Sequence, residues 1–230
     1  MLVFGKNVVV EILKKNEKIQ KAYLYKQFDD AFIISGLQKQ NITIEYLEKF
    51  ELDRLASGLH QGIIVSIPDY KYCEVEDLMV GNAFIVILDH LEDPHNFGAI
   101  IRTSEAAGVN GIIIPKDRSV DVNATVMKVS AGALENMKIA QVTNLVNTMK
   151  MLKENGFWIV GTDMVGTNYT EIDYKGKIAI VIGSEGNGIS RLVSENCDFM
   201  ATIPMAGSIN SLNASVAAGI VIFEALNKRK

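Results

Sequence analysis

The stretch "AFIVILDHLEDPHNFGAIIRTSEAAGVNGIIIP", residues 83–115, decides the fold class. It begins and ends with short apolar runs rich in β-branched residues, which is typical of buried strands. Between them, "FGAIIRTSEAAG" has helical periodicity, and Gly108 stands where that helix should end. A strand, a helix and a second strand in this order predict a βαβ unit with two parallel strands.

The same alternation continues to the end of the chain. It runs through "NATVMKVSAGAL", "KIAQV", "NLVNTMKMLKENG", "FWIVGTD", "KIAIVIG", "GISRLVSEN" and "FMATIP", and it ends with "GSINSLNASVAAGIVIFEAL". Strict alternation predicts an α/β fold in which helices cover both faces of a parallel sheet. We assign residues 83–230 to this domain. Gly156 should end a helix, whereas Gly219 lies inside the last one, where a missing side chain indicates a closely packed neighbouring backbone.

The first seventy residues have a different pattern. Helical periodicity in "NVVVEILKKN" and in residues 31–39 accompanies two β-type runs, "KAYLY" and "GIIVSI". We therefore predict a small α/β domain over residues 1–70. The polar, acidic stretch that follows has no sustained periodicity, so residues 71–82 are predicted to be a linker with one helical turn.

Composition limits the function classes. The chain has 230 residues, 48% of them hydrophobic, which is enough for packed cores. No apolar run approaches the roughly 20 residues needed to span a bilayer, and the N-terminus lacks a signal-peptide pattern, so we expect a cytoplasmic protein without a membrane partner. A net charge of −4 argues against a broad basic surface that grips nucleic acid nonspecifically, but local contacts stay possible.

The cysteines and histidines do not form a recognisable cluster. Cys73 and Cys197 are isolated from each other, which argues against a disulfide framework or a zinc site. His90 and His95 lack partners at ligand spacing, so we expect no metal.

The loop that follows the first strand of the large domain is rich in polar residues. Asn96 is placed to cap the next helix, and this reading is favoured over a catalytic role when the residue is considered alone. Arg102, further along that helix, is either a functional cation or the partner of Glu105 at the i,i+3 spacing.

A second loop, "GSEGNG" at residues 183–188, is glycine-rich and opens a helix. Such a turn brings backbone N–H groups close to a ligand. Its order differs from the dinucleotide fingerprint, and the strand that follows ends without an acidic residue, which weakens a nicotinamide-dependent oxidoreductase as an alternative. Glu185 within the turn would repel a pyrophosphate, so the charge pattern favours a neutral or cationic ligand.

A third loop opens the last helix. Asn210 or Ser211 could cap this helix, with Asn213 satisfying further amides of the first turn. Four polar residues within six positions exceed what a cap requires, and the surplus favours a bound ligand or a partner chain. We assign Asn210 to the helix start and Ser215 to packing.

Taken together, the three loops resemble the three motifs of the SpoU/TrmH branch of the SPOUT methyltransferases. The matching segments are "DPHNFGAIIRTSEAAG", "IVIGSEGNGIS" and "IPMAGSINSLNASVAAGIVIFEAL". The resemblance extends to "PKDRSVDVNATVMKVSAGALE" and to "FGKNVVVEIL" and "HQGIIVSIP" near the N-terminus, so it spans nearly the whole chain.

The resemblance implies an S-adenosylmethionine-dependent enzyme that methylates a ribose 2′-hydroxyl in RNA, similar to the subgroup that acts on a guanosine of 23S ribosomal RNA. It also implies a C-terminal trefoil knot, a homodimer formed partly through the last helix, and an N-terminal RNA-binding domain like a ribosomal protein. A tRNA methyltransferase and a noncatalytic rRNA-binding relative remain alternatives.

The same resemblance implies the site residues. The implied catalytic group comprises Asn96, Arg102, Glu185, Ser211 and Asn213. The implied cofactor-binding group comprises Gly183, Ile203, Met205 and Leu212, although the last three could equally be core residues. Candidate RNA contacts are Lys116, Arg118 and Lys128 in the large domain and the lysines of the N-terminal domain.

Overall fold

A computed structural model describes residues 1–56, 58–208 and 211–230. The chain divides into two compact units, Met1–Tyr70 and Lys71–Lys230. The first unit contains a four-stranded sheet and the second a six-stranded sheet.

The first unit is a small α/β structure with a mixed sheet. Its elements are β1 (Leu2–Phe4), α1 (Lys6–Lys14), β2 (Lys21–Tyr25), α2 (Ala31–Lys39), β3 (Ile44–Leu47), α3 (Lys49–Leu55) and β4 (Ile63–Ser66). The strand order is β1-β4-β2-β3, with β4 antiparallel to both neighbours and β2 parallel to β3. The sequence pattern predicted α1, β2, α2 and β4 but not β1, β3 or α3, which are short.

The second unit contains a fully parallel sheet. Its strands are β5 (Phe84–Asp89), β6 (Gly111–Pro115), β7 (Ile139–Val142), β8 (Trp158–Asn168), β9 (Ile178–Gly183) and β10 (Phe199–Thr202). Its helices are α4 (Pro94–Ala106), α5 (Ala124–Val129), α6 (Leu145–Glu154), α7 (Arg191–Ser194) and α8 (Ala214–Arg229). The strand order is β10-β8-β9-β5-β6-β7, and the predicted α/β class with a parallel sheet and flanking helices is confirmed.

The two central strands determine where the functional loops begin. Every residue of β5 and β9 is buried, because helices cover both faces of the sheet here. The two strands pair in register with Asp89 opposite Gly183. The loops that follow Asp89 and Gly183 therefore leave the same edge of the sheet side by side.

Residues 71–82, predicted as a linker, belong to the second unit and pack against its sheet. Cys73 N–H donates a hydrogen bond to the carbonyl oxygen of Ile139 at 2.9 Å. A 3-10 helix at Val75–Leu78 places both of its end residues in the core that surrounds the sheet.

Two of the three glycines singled out from the sequence end helices, as predicted. Gly108 and Gly156 follow the ends of α4 and α6 with φ of 69° and 84°, as predicted for helix-terminating glycines. For Gly219, the described chain itself supplies no closely packed backbone. A Cβ placed there would lie 3.8 Å from the Thr103 methyl carbon, an ordinary van der Waals contact with a side chain rather than a close backbone approach.

Candidate active site

A cavity of about 580 Å³, here called the first cavity, lies beside the loop that follows β9. Seven of the nine predicted site residues line it: Gly183, Glu185, Ile203, Met205, Ser211, Leu212 and Asn213. Asn96 and Arg102 are not among its described lining residues. The fold thus brings together the glycine-rich loop that follows β9 and the loop that precedes α8. Helix α4, which follows the first sequence loop, contributes none of the described lining residues.

The glycine-rich loop closes on itself beside the first cavity. Ser184 N–H donates to the Gly188 carbonyl oxygen at 3.0 Å, and Gly188 N–H donates back to Ser184 at 2.9 Å. A Cβ on Gly183 would lie 2.1 Å from the Gly188 carbonyl carbon, so position 183 admits only glycine. Gly188 has φ of 63°, which also favours glycine. The spacing of these glycines is therefore required by the loop itself.

Asn213 is the N-cap of α8 and holds the third loop to the second. Its side-chain oxygen accepts hydrogen bonds from the backbone N–H groups of Ser215 at 3.0 Å and Val216 at 3.4 Å. Its amide Nδ2 donates to Glu185 Oε1 at 3.3 Å. The expectation that Asn213 satisfies amides of the first turn is confirmed. Ser211, the alternative cap, does not cap this helix, which begins at Ala214, and the assignment of Asn210 lies outside the described residues.

Ser215 also belongs to this cap. Its hydroxyl donates to Asn213 Oδ1 at 2.6 Å, so its assignment to packing was incomplete. The surplus of polar residues in the third loop therefore has two parts. Asn213 and Ser215 form the helix cap. Ser211 is not part of the cap and instead lines the first cavity.

Asn96 does not cap α4. The cap is Asp93, whose carboxylate accepts from His95 N–H at 2.9 Å, because Pro94 fixes the first helical position. Asn96 is buried and donates through Nδ2 to the other Asp93 oxygen at 3.0 Å. The hydrogen bonds from His95 N–H and then from Asn96 hold the pKa of Asp93 below its ordinary value.

Arg102 is exposed on α4. Its sequence neighbour Glu105, considered above as an ion-pair partner, instead accepts a hydrogen bond from Asn136 Nδ2 at 3.4 Å. Within the residues that the structure describes, the Arg102 guanidinium makes no hydrogen bond or ion pair. It is therefore a cation left available for a ligand or for another chain.

Asp89 is a buried residue beside the glycine-rich loop that the sequence analysis did not single out. It is 1% exposed, and its Oδ2 accepts from Ser190 N–H at 2.6 Å, which ties the end of β5 to the end of the glycine-rich loop. Its Oδ1 lies 2.5 Å from His90 Nδ1. The signal was present in the sequence, since a carboxylate that ends a fully apolar strand must find buried partners.

A second cavity of about 450 Å³ shares part of its wall with the first. Ser184–Gly188 line both cavities, and the second is completed by Asp89, His90, Glu92, Arg118 and Ser190. Of the three cations named as RNA contacts, Arg118 lies here, and Lys116 and Lys128 are exposed elsewhere on the surface. Glu92 was not singled out from the sequence.

Three further residues of the first cavity were also missed. Thr162, Asp163 and Met164 line it from β8, which is longer than its apolar sequence run indicated. The Thr162 hydroxyl donates to the Val181 carbonyl oxygen at 3.0 Å, which fixes this part of the wall against β9.

Over residues 1–56, 58–208 and 211–230, no group of three or more His, Cys, Asp or Glu side chains is arranged to hold a metal ion. In the same part of the chain, no helix is both long enough and apolar enough to cross a membrane.

Two family models match the chain. The model described as the SpoU rRNA Methylase family matches residues 83–223. The model described as RNA 2′-O ribose methyltransferase substrate binding matches residues 2–73.

Full-length relatives agree with these matches. A Bacillus subtilis protein named as a TrmH family tRNA/rRNA methyltransferase is 44% identical, over 99% of this chain and 95% of its own. Among solved structures, the SpoU methyltransferase AviRb of Streptomyces viridochromogenes, in complex with AdoMet, shares the fold with a TM-score of 0.78 at 23% identity, over 99% of this chain and 89% of its own. An AdoMet-bound rRNA methyltransferase of Sinorhizobium meliloti aligns with a TM-score of 0.74 at 25% identity, over 98% of this chain and 86% of its own. The chain therefore belongs to the SpoU/TrmH family of RNA methyltransferases.

Proposed function

We propose that the protein transfers the methyl group of S-adenosylmethionine to a ribose 2′-hydroxyl in RNA. The observation that carries the proposal is the first cavity, which gathers Glu185, Ser211 and Asn213 beside an apolar wall that includes Leu212. Family membership supports it, as does the cofactor AdoMet named for the two solved relatives.

The lining of the first cavity suits a cationic cofactor. Glu185 and Asp163 are its carboxylates, and no Lys, Arg or His is among its described lining residues. Such a lining favours a ligand with sulfonium and ammonium charges and repels a pyrophosphate, which disfavours a nicotinamide cofactor. Ile203, Met205 and Leu212 offer apolar surface for an adenine ring, and Gly183 would approach it through backbone atoms. When bound, S-adenosylmethionine supplies an activated methyl group.

The polar residues prepare the ribose for methylation. A ribose hydroxyl is a weak nucleophile at neutral pH, so it must be aligned and its developing negative charge stabilised. Ser211 and Asn213 orient the hydroxyl, and Glu185 fixes the Asn213 amide through the bond at 3.3 Å. Asn96 is a positioning residue, because it braces the start of α4 through Asp93.

Arg102 supplies the positive charge. A guanidinium remains protonated at neutral pH because its ordinary pKa is above about 12, so it stabilises the alkoxide or the adjacent phosphate by charge rather than by removing a proton. Over the described residues of one chain, Arg102 is not among those that line the first cavity. We therefore propose that Arg102 completes the site in a homodimer.

The surface of α8 supports the dimer. Val216 and Phe223 on this helix are 51% and 44% exposed. Light scattering after size-exclusion chromatography tests the oligomeric state, with a dimer expected and a monomer at micromolar concentration contradicting it.

Co-expression of the inactive Arg102→Ala and Ser211→Ala chains tests whether the two protomers share a site. Activity returns if the two residues of one site come from different protomers.

The proposed substrate is a guanosine of 23S ribosomal RNA. The first unit supplies RNA binding, as its match to a substrate-binding model supports. The combined name tRNA/rRNA methyltransferase of the Bacillus relative keeps tRNA as the alternative. We also propose a C-terminal trefoil knot and a cytoplasmic location, and membership of the family supports both.

The experiment uses unmodified transcripts of 23S rRNA and of tRNA. Each is incubated with the full chain and S-adenosylmethionine, digested to nucleosides and analysed by mass spectrometry. We expect 2′-O-methylguanosine from 23S rRNA. Transfer to tRNA alone would favour the alternative substrate, and RNA binding without transfer to any transcript would indicate a noncatalytic relative.

A further inference from the structure

We propose that the second cavity receives the base of the target nucleotide and selects guanine, with Glu92, Arg118 and His90 as its recognition residues. This inference rests on the proposed methyltransferase function. It adds which residues read the base.

The location of the second cavity fits a base. In a nucleotide, the carbon that carries the 2′-hydroxyl is bonded directly to the carbon that carries the base. A ribose held at Ser211 and Asn213 must therefore place its base in a neighbouring space. The second cavity is such a space, because Ser184–Gly188 line both it and the first cavity.

The charges of the second cavity match guanine. Arg118 presents a fork of donors, and guanine offers two adjacent acceptors, O6 and N7, that such a fork binds. Glu92 presents a carboxylate, and guanine offers two adjacent donors, N1–H and the 2-amino group. Within the described residues, neither Glu92 nor Arg118 makes a hydrogen bond or ion pair. Both side chains are thus available to a ligand.

The remaining carboxylates of this cavity are already engaged. Asp89 accepts from Ser190 and lies against His90, and Glu185 accepts from Asn213. Glu92 is therefore the carboxylate left for base recognition.

His90 provides a flat surface. The buried Asp89 carboxylate holds its Nδ1 at 2.5 Å, which fixes the ring at the cavity wall. Unpaired RNA bases are recognised by stacking on such rings as well as by hydrogen bonds to their edges. His90 and Arg118 both have positive φ, 54° and 51°, a conformation that non-glycine residues seldom adopt outside sites where the fold imposes it.

The test compares three short RNAs once the methylated position has been mapped. They carry guanosine, inosine or adenosine at that position, and inosine lacks only the 2-amino group of guanine. The wild-type chain should lose part of its kcat/KM on inosine and more on adenosine. The Glu92→Ala variant should lose about 5- to 150-fold on guanosine, the range for one bidentate base contact, and should no longer distinguish guanosine from inosine.

Two controls make the result interpretable. Glu154, exposed on α6, gives the matched variant Glu154→Ala, which should behave as wild type on all three RNAs. The fluorescence of Trp158, the single tryptophan, shows that each variant is folded.

If Glu92→Ala still preferred guanosine to inosine by the same factor as the wild-type chain, the inference would be overturned, while the proposed function would stand. An equal loss on all three RNAs would overturn it too, because it would indicate a contact with the RNA backbone. Absence of transfer to any RNA by the wild-type chain would contradict the proposed function itself, and the base pocket with it.

Discussion

The substitution Asn213→Asp separates the two tasks of Asn213. Its side-chain oxygen caps α8 by accepting from Ser215 and Val216, and its amide nitrogen donates to Glu185. Aspartate keeps an oxygen at the cap and removes the amide donor. Asn213→Ala removes both groups and serves as the comparison.

The magnitudes follow from the contacts. Asn and Asp are about equally good caps, and a negative charge at a helix N-terminus contributes about 0.3–1 kcal/mol. The new carboxylate would lie near Glu185, since the present contact is 3.3 Å, and two charges at that distance repel by about 1 kcal/mol in water. The two effects offset each other, so the stability of Asn213→Asp should stay within about 1 kcal/mol of wild type. Asn213→Ala should lose about 1 kcal/mol through the missing cap.

Thermal unfolding followed by Trp158 fluorescence reports the second unit, where about 1 kcal/mol corresponds to a change in Tm of roughly 2–4 °C. Methyl transfer to the 23S transcript reports function. We expect both variants to lose at least about tenfold in kcat/KM, because each loses an oriented hydrogen-bond donor. Full activity of Asn213→Asp at wild-type stability would refute the role of the amide in aligning the ribose.

Three further predictions concern separate features. Gly183→Ala should abolish S-adenosylmethionine binding in calorimetry, because its Cβ would lie 2.1 Å from the Gly188 carbonyl carbon. Gly207→Ala, with no atom within 4 Å of the added carbon and outside the described lining of both cavities, should bind normally, and equal affinities of the two variants would contradict the loop geometry. Arg102→Ala should abolish transfer without changing Tm, because the side chain is exposed and makes no described contact, and retained activity would remove Arg102 from the mechanism. Burial raises the pKa of the Cys197 thiol from 9.0 to about 12. The stability that comes from keeping this thiol neutral is therefore fully present below pH 9 and is lost as the pH rises toward 12. The free energy of unfolding in urea should fall less over this pH range for Cys197→Ala than for wild type, and an equal fall in both proteins would contradict the shift.

The sequence predicted the second unit well because its central strands are unambiguous. β5 and β9 are apolar throughout and buried throughout, and glycines end α4 and α6 where the periodicity stops. β1 and β3 were missed because three or four partly exposed residues carry no readable period. Their place in the sheet depends on pairing with distant strands, which local pattern does not encode.

The site was predictable where backbone constraints fix the residue type. Gly183 stands where any side chain would collide with the returning loop. The cap of α4 was misassigned because Pro94 at the first helical position places the N-cap at Asp93 rather than at Asn96. Asp89 and Glu92 were missed because their importance arises from the register of β5 against β9 and from the two cavities, which only the folded chain creates.

The central claim is that this chain methylates an RNA ribose. Ribose methylation should be mapped along all RNA from cells that carry the gene, from cells that lack it, and from deletion cells supplied with wild-type or Arg102→Ala chain. The account predicts that one guanosine of 23S rRNA loses its 2′-O-methyl group on deletion, regains it with the wild-type chain and does not regain it with Arg102→Ala. Identical ribose methylation in cells with and without the gene would contradict it.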